Sequence, residues 1–403
     1  GTNCHIVLEQ PPTPTAPDHR STGDEAPRHH VVLASAKTAR SLNGAQTRWQ
    51  QFLRDSEPTA LPDVAFTSQI GRGEFEHRAA AVGRDAAEYA TAFADGSGWV
   101  SGRARPDATV AFVYGGGTQW PGMGRHLYTH DNVFHDVMHH CAQLAQEQLG
   151  LDLCELLYGP TWDSPETTAL LEQTRIQQPA LFAVQTAMTE QWRAWGVQPT
   201  AMVGHSLGEI VAATTAGVWS LPDAMRLVCW RGELMQQQEP GATLGEFERR
   251  LRSLKFQTPQ IPIVSTVTGD WLAPEQAMDP AYWAGQVRSV VRFSDAVQRL
   301  LVDRPEALLL EVGPGATAQT LIGELETGTD RVAVSSMGNS RTHTDDSRTT
   351  REALAHLWVN GITIDWAALH QGRTPRRTAI PTYTFDTKRY WIDAPGSPTT
   401  SPR

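Results

Sequence analysis

A Gly-x-Ser-x-Gly motif runs from Gly204 to Gly208 and has Ser206 at its centre. An apolar run at 201–203 precedes it, and small and apolar residues follow at 210–217. A strand, a tight turn that needs glycine on both sides and a helix together are typical of a nucleophile elbow. The motif therefore predicts that Ser206 is a covalent nucleophile. The alternative is a glycine-rich turn that only packs a helix on a strand.

An acyl-carrying serine also needs backbone donors for the oxyanion. In an elbow one N–H comes from the residue after the nucleophile, here Leu207, and a second comes from a glycine-rich loop after an early strand. Residues 112–124, FVYGGGTQWPGMG, have that position, and Gly115, Gly116 and Gly117 permit close backbone approach. A phosphate-binding loop is the rival interpretation, but the lysine that such a loop needs is missing.

Arg231 follows Ser206 by 25 residues inside the apolar stretch LVCWRGELM. A buried guanidinium must find an anion, and its planar fork suits a carboxylate. This predicts a carboxylate-binding residue, while a salt bridge to Glu233 or Glu209 is an equally good explanation from the spacing.

Three further polar residues are candidates for the pocket. Gln177 and Gln178 precede Pro179 and either line the pocket or cap a helix. His205 lies next to the nucleophile, although neighbouring side chains at an elbow diverge.

These residues require a sheet to position them. Helical periodicity fills the intervals between strand-like runs, which indicates an α/β fold with a doubly wound, mostly parallel sheet, and Ser206 lies at the carboxyl end of a strand. The predicted strands are 109–114, 201–203, 261–266, 307–312 and 331–335, and the main predicted helices are 179–195, 222–238, 244–256 and 281–301.

Composition excludes several classes of function. The 403 residues are 40% hydrophobic and carry a net charge of −10, which argues against non-specific nucleic-acid binding. No apolar run approaches the roughly 20 residues that cross a membrane, and no secretory signal is present. The chain begins without Met, so we expect a piece of a larger cytoplasmic protein.

Cysteine and histidine spacing gives no metal or disulfide signal. Cys4, Cys141, Cys154 and Cys229 are scattered and predict reduced thiols. Five histidines cluster without an acidic partner at ligand spacing, so we expect no metal site. They are His126, His130, His135, His139 and His140.

The regions outside the main sheet divide into three. Residues 1–30 contain a short apolar strand and a Pro-rich linker, and 31–107 form a small αβ domain. After the main domain at 108–338, residues 339–403 contain a helix at 351–360 and an aromatic, basic tail. Because disordered segments are poor in aromatic residues, this tail predicts an extended arm on another surface.

Several of these segments together resemble the acyltransferase domain of modular type I polyketide synthases. The matching motifs are GHSLGE at 204–209, QQPALFA at 177–183, CWRGELM at 229–235, PIVSTVTG at 262–269 and LLEVGPG at 309–315. The flanks agree: 1–10 look like the last strand of a ketosynthase, the small domain looks like the ketosynthase-to-acyltransferase linker, and IPTYTFDTKRYWI looks like the post-acyltransferase linker.

The resemblance implies that Ser206 takes a malonyl or substituted malonyl group from coenzyme A and passes it to the phosphopantetheine thiol of an acyl carrier protein. It implies that Arg231 clamps the free carboxylate of that group, that the domain binds no cofactor of its own, and that a ketosynthase is its neighbour. Leu207 and the run RGELMQQ favour malonyl over methylmalonyl.

The chain departs from this family where the general base should be. The family carries a histidine in a ferredoxin-like subdomain between the arginine helix and the following strand. Here LMQQQEPGA, ending at Ala242, leads directly to TLGEFERRLRSLKF, and no histidine lies between Ser206 and His343. His343, His356 and His370 match no family base.

Two smaller departures affect the same pocket. The family loop usually has a glutamine or asparagine where Gly116 stands, and the family Gly-Pro-His is Gly-Pro-Gly here, ending at Gly315.

Losing the base of such a unit costs on the order of 10⁴ to 10⁶ in rate, so we predict slow or no malonyl transfer. The impaired enzyme would result from natural loss or from deliberate excision of the subdomain. The alternative is a non-catalytic scaffold and docking domain, served by an acyltransferase acting in trans. An α/β-hydrolase ranks third because that fold needs an acid and a histidine after the serine at recognisable positions.

Overall fold

Two β-sheets organise the chain in the computed structural model, which describes residues 28–55, 60–94, 96–117, 119–237, 240–324, 332–338 and 346–387. For 240–243 and 322–324 the description covers the backbone alone. The strands are β1 (His30–Ala36), β2 (His77–Gly83), β3 (Val100–Arg103), β4 (Thr109–Tyr114), β5 (Ala201–Gly204), β6 (Ile263–Val264), β7 (Ala307–Glu311) and β8 (Ala333–Ser335).

Helices cover both sheets. They are α1 (Ala39–Arg54), α2 (Leu61–Ile70), α3 (Ala86–Ala94), α4 (Arg125–His130), α5 (Asn132–Leu149), α6 (Leu153–Tyr158), α7 (Pro165–Leu171), α8 (Thr174–Ala194), α9 (Leu207–Thr215), α10 (Leu221–Gln236), α11 (Pro240–Leu251), α12 (Pro274–Ala277), α13 (Pro280–Gln286), α14 (Phe293–Asp303), α15 (Thr317–Glu324), α16 (Asp346–Val359) and α17 (Trp366–Leu369).

The larger sheet has five parallel strands in the order β6-β5-β4-β7-β8. Its strands are apolar along their length because helices cover both faces, as in the pairs Val113 with Val203 and Phe112 with Leu310. From β4 the chain runs to β5 and β6 on one side, then crosses to β7 and β8 on the other, so the strand order reverses between β4 and β7. This confirms the predicted doubly wound, mostly parallel sheet.

The smaller sheet is antiparallel, in the order β1-β2-β3, and α16 packs against it. Trp358 of α16 joins the two parts of the molecule, since its carbonyl accepts a 2.8 Å bond from Arg78 Nη1 and its indole donates to Glu74 Oε1 at 3.0 Å. The small domain is therefore fixed to the helix that follows the large sheet.

The predicted helix over 281–301 is wrong as one element, because α13 and α14 are separate helices. Between them the N–H of Arg292 donates a 2.7 Å hydrogen bond to the carbonyl of Thr266. This long-range bond pulls the chain across to the end of β6 and interrupts the helix. The break leaves Gln286 at the end of α13, where its side chain contacts the elbow.

Three other elements have bounds that differ from the predicted ones. The strand predicted over 261–266 is only Ile263–Val264, at the sheet edge, where Pro262 has no N–H to donate. The helix predicted over 244–256 is Pro240–Leu251. The helix predicted from Pro179 begins at Thr174, so Pro179 lies inside α8 and Gln178 does not cap it.

Residues 370–387 have no regular secondary structure and lie along the small domain. The N–H groups of Arg376 and Thr378 donate to Asp63 Oδ1 and Thr67 Oγ1 on α2, at 2.7 and 3.0 Å. Tyr383 accepts a 3.1 Å bond from the N–H of Lys37. This part of the tail is thus an arm on another surface.

Several sequence predictions lie outside the described residues: the strand at 1–10, most of the Pro-rich linker, Cys4, His343 and the tail aromatics Tyr390 and Trp391. Within the described ranges, no helix is both long enough and apolar enough to span a membrane.

Candidate active site

Ser206 lies at the turn between β5 and α9 with φ 54° and ψ −108°, and is the one non-glycine residue of the described part of the chain with a positive φ. Glycine is required beside it for steric reasons. A Cβ at Gly204 would lie 2.1 Å from the backbone of Gly208, and one at Gly208 would lie 2.3 Å from the carbonyl oxygen of Tyr114. The motif therefore forms the strained elbow that the sequence predicts.

Arg231 and Gln178 meet at the serine from two helices. Arg231, on α10, donates from Nη2 to Ser206 Oγ at 3.0 Å and from Nη1 to Gln178 Oε1 at 2.6 Å. Gln178, on α8, also lies 3.0 Å from the sulfur of Met235 through its Nε2. The candidate carboxylate clamp, the nucleophile and the glutamine therefore form one connected group.

The guanidinium of Arg231 is only 2% exposed. Its alternative salt bridges do not form: Glu233 pairs with Arg250, and no described carboxylate oxygen lies within 4.0 Å of Arg231. Its Nε has no hydrogen-bond partner in the described structure. Burial lowers the pKa of Arg231 to about 10, with the more distant Glu209 opposing that shift. The site thus contains a desolvated cation without a close anion.

Glu209 is connected to the backbone of the elbow through the side chains of Thr266 and Gln286. Its carboxylate accepts hydrogen bonds from Thr266 Oγ1 at 2.8 Å, from Gln286 Nε2 at 3.4 Å and from the hydroxyl of Tyr282. Thr266 also donates to the carbonyl of Gly204 at 3.2 Å, and Gln286 donates to the carbonyl of Ser206 at 2.8 Å. Burial raises the pKa of Glu209.

Sequence reasoning considered Glu209 only as a partner of Arg231 and did not single out Gln286, Thr266 or Tyr282. A carboxylate in the first turn of an otherwise apolar helix was the available signal for Glu209. The three partners of Glu209 could not be found from this signal, since Thr266 lies just after β6 and the other two lie on α13.

The predicted glycine loop follows β4, beside the elbow. A Cβ at Gly116 would lie 3.0 Å from the carbonyl oxygen of His205, whereas one at Gly117 would have no described atom within 4 Å. Leu207 is the first residue of α9, so its N–H has no acceptor within the helix. The loop and the Leu207 N–H therefore border the same turn.

The histidines lie apart from the nucleophile. The ring of His205 packs edge-on against Phe293, with centroids 5.6 Å apart, and its buried Nδ1 has no described partner. His370 binds Gln69 Oε1 at 2.6 Å on the small domain, and His356 lies on α16. Among described residues, Ser206 Oγ has a hydrogen bond from Arg231 alone. In the part of the chain that the structure describes, no histidine, aspartate or glutamate side chain is hydrogen-bonded to Ser206 Oγ.

Two other features lie away from the elbow. A cavity of about 590 Å³ lies between α1, β1 and the arm, but Ser206 and Arg231 do not line it, so we place the chemistry at the elbow. No group of three or more His, Cys, Asp or Glu side chains is arranged around a metal in the described ranges. In the histidine cluster the rings of His126 and His130 stack at 4.2 Å.

Comparison with known families gives two adjacent matches. Residues 111–252 match the model of the acyl transferase domain, and residues 30–93 match the CurL-like, PKS C-terminal model. The first match contains the glycine loop, the elbow and Arg231.

Relatives and solved structures agree with these matches. The chain is 30% identical, over 98% of its length, to the phenolphthiocerol synthesis polyketide synthase type I Pks15/1 of Mycobacterium marinum. It spans 6 to 22% of the length of four such curated relatives. The acyl transferase domain of ZmaA superposes with a TM-score of 0.81 at 26% identity, covering 89% of this chain and all of that one. The acyl transferase domain of SpnD, in complex with 2-(pent-4-yn-1-yl)malonyl, gives 0.71 at 27% identity, covering 85% of this chain and 97% of that one.

Proposed function

The chain belongs to the acyltransferase domains of modular type I polyketide synthases, and from this premise we propose that Ser206 is the site of acyl attachment. The family reaction is acyl transfer from coenzyme A, through an acyl-serine, to an acyl carrier protein. The hydrogen bond from Arg231 Nη2 to Ser206 Oγ is the observation that carries this assignment, because it joins the nucleophile to a carboxylate-binding group.

Arg231 would recognise the free carboxylate of a malonyl-type group. A buried guanidinium without a close anion is costly, and a substrate carboxylate would relieve that cost. Gln178 fixes the guanidinium by its 2.6 Å bond, so that the fork is already oriented. The 2-substituted malonyl group in the SpnD complex supports this substrate class. We propose malonyl, or a substituted malonyl group, as the ligand.

The oxyanion of the tetrahedral intermediate would be stabilised by backbone donors. We assign this role to the N–H of Leu207 and to the loop at Gly116 and Gly117. Because Gly116 lies against the carbonyl of His205, the backbone at this position is close to the turn that carries Ser206.

This copy is impaired as a catalyst, since no described side chain is placed to accept the serine proton. The helices α10 and α11 are joined only by residues 237–239, where the family places the base-bearing subdomain. We propose that the domain binds malonyl-CoA but acylates Ser206 slowly. Its partners would be an acyl carrier protein and an adjacent ketosynthase.

Calorimetry with malonyl-CoA and acetyl-CoA tests the binding part of this proposal, because the two ligands differ by one carboxylate. We expect malonyl-CoA to bind about tenfold or more tightly than acetyl-CoA. Equal affinities would exclude carboxylate recognition by Arg231.

The second candidate function is a scaffold that docks neighbouring domains while a separate acyltransferase loads the carrier protein. The fixed arm and the contacts of Trp358 favour it, since they hold the small domain without any need for catalysis. Adding a separately expressed acyltransferase should then restore loading of the cognate carrier protein. Failure of that complementation would exclude this function.

A further inference from the structure

The proton of Ser206 has no described acceptor. Arg231 Nη2 is a donor, so Ser206 Oγ must be the acceptor in their 3.0 Å bond. The hydroxyl hydrogen then points away from the guanidinium. A serine becomes a strong nucleophile only when a base removes this proton as Oγ attacks.

Three titratable groups face the elbow, and none has a described hydrogen bond to Ser206 Oγ, although His205 Nδ1 and Glu311 Oε1 have no described partner of their own. Glu209 accepts hydrogen bonds from Thr266 and Tyr282 and has none from Ser206 Oγ among the described bonds. Glu311, on β7, accepts a 2.8 Å bond from the N–H of Ala318. As described above, the ring of His205 packs on Phe293 instead of on the serine.

Three described residues around the site are exposed or partly exposed. Ser206 is partly exposed, Gly117 is exposed, and a Cβ at Gly117 would have no described atom within 4 Å. Met235, which contacts Gln178, is 40% exposed. A small molecule can therefore approach the serine without moving a buried side chain.

We propose that Ser206 gives its proton to a base that arrives from solvent, and that a free imidazole can take this role and restore acylation. The inference rests on the proposed function and adds the route of the proton. Ser206 would then lack a base but would still react with the thioester when a base is supplied.

The step balances with imidazole as both acceptor and donor. Ser206 Oγ attacks the thioester carbonyl and forms the O–C bond, while its proton passes to the imidazole nitrogen. The C–S bond then breaks, and the imidazolium returns the proton to the departing thiolate of coenzyme A. Acyl-serine and free coenzyme A are the products, and imidazole is regenerated.

Without added base, hydroxide is the remaining acceptor. The rate should then rise about tenfold per pH unit from near neutrality, without a plateau near the usual pKa of histidine. Burial lowers the pKa of His205 and raises those of Glu209, Glu311 and Tyr282.

The experiment measures acyl-Ser206 by intact mass with malonyl-CoA, with and without imidazole at about 0.1 M, and we expect at least about a tenfold faster appearance. The hindered 2-methylimidazole serves as a base that is a poor nucleophile. Ser206→Ala reports acylation at any other residue. Calorimetric binding of malonyl-CoA, compared between the parent and Arg231→Ala, reports the clamp without requiring chemistry.

Acceleration by both bases, absent in Ser206→Ala, supports the inference. Acceleration by imidazole but not by 2-methylimidazole would indicate acyl-imidazole formation in solution and overturn it. Binding that depends on Arg231, but with no acceleration by either base, would overturn the inference and leave the proposed function standing. Absence of that binding would remove the proposed function itself.

Discussion

Arg231 Nη2 donates a 3.0 Å hydrogen bond to Ser206 Oγ, although Arg231 lies 25 positions further along the chain, on α10, and Ser206 lies at the turn before α9. The guanidinium orients the serine oxygen, but as a cation it cannot accept the serine proton at neutral pH. The same contact is the basis of the proposed carboxylate-binding pocket, and no described side chain accepts a hydrogen bond from the serine hydroxyl.

Replacing Arg231 should remove selectivity for the carboxylate. In Arg231→Ala, malonyl-CoA should lose about 1.5 to 3 kcal/mol of binding free energy, roughly ten- to hundredfold in affinity, because a charge-assisted hydrogen bond is lost. Arg231→Lys keeps the charge without the planar fork, so its affinity for malonyl-CoA should lie between those of the parent and Arg231→Ala. Acetyl-CoA affinity is the control measurement. An equal loss for both ligands would indicate a collapsed pocket rather than a lost clamp.

Replacing Gln178 by glutamate should pair Arg231 with a carboxylate of the protein itself and so compete with the malonyl carboxylate. Its carboxylate would stand where Gln178 Oε1 now lies, 2.6 Å from Arg231 Nη1, and would supply the missing anion. Malonyl-CoA should then bind at least about tenfold more weakly in calorimetry, since the guanidinium would already be paired. Gln178→Leu removes the same amide without adding charge. If Gln178→Glu bound malonyl-CoA no more weakly than Gln178→Leu, competition for Arg231 would be excluded.

The elbow should be strained enough to measure. Ser206 has φ 54° and ψ −108°, a conformation that glycine adopts more easily. Ser206→Gly should therefore be more stable than Ser206→Ala by about 1 kcal/mol in urea unfolding. Both variants lose the bond from Arg231, so their difference isolates the backbone. Equal stabilities would show that the turn carries no strain.

Protonation of His370 should lower the free energy of unfolding as the pH falls. Burial, with the nearby cations Arg373 and Arg351, lowers its pKa from 6.5 to about 4. The folded pKa is below the unfolded one, so the unfolded chain binds more protons in this window. The contribution of His370 is therefore present above about pH 6.5 and is lost as the pH falls toward about 4.

His370→Gln should flatten that dependence in unfolding titrations by denaturant at successive pH values. His135→Gln is the matched control, because His135 lies on the exposed surface of α5. The same acid slope in His370→Gln as in the control would contradict the assignment.

The elbow and the mostly parallel class of the large sheet could be predicted because local patterns encode them. Thr109–Tyr114 was predicted with its observed bounds, since a run of apolar residues between turns is visible in the sequence. Gly204 and Gly208 are likewise dictated by local crowding around one turn. Short-range sterics and burial were sufficient in these places.

Long-range hydrogen bonds account for what could not be predicted. The break between α13 and α14 depends on the bond from Arg292 N–H to the Thr266 carbonyl, which no local periodicity reveals. Sequence spacing alone could not decide whether Arg231 binds a substrate carboxylate or forms a salt bridge within the protein. The structure excludes both proposed salt bridges among described residues because Glu233 and Glu209 have other partners. The support of the Ser206 carbonyl by Gln286 depends on the same break.

Intact-mass measurement of the chain after incubation with malonyl-CoA tests the central claim most directly. With a nucleophile and a clamp but no base, acylation at Ser206 should be slower by on the order of 10⁴ or more than in an acyltransferase with its base, so no adduct should accumulate within minutes. Rapid, stoichiometric addition of one malonyl group at Ser206, lost in Ser206→Ala, would contradict the account.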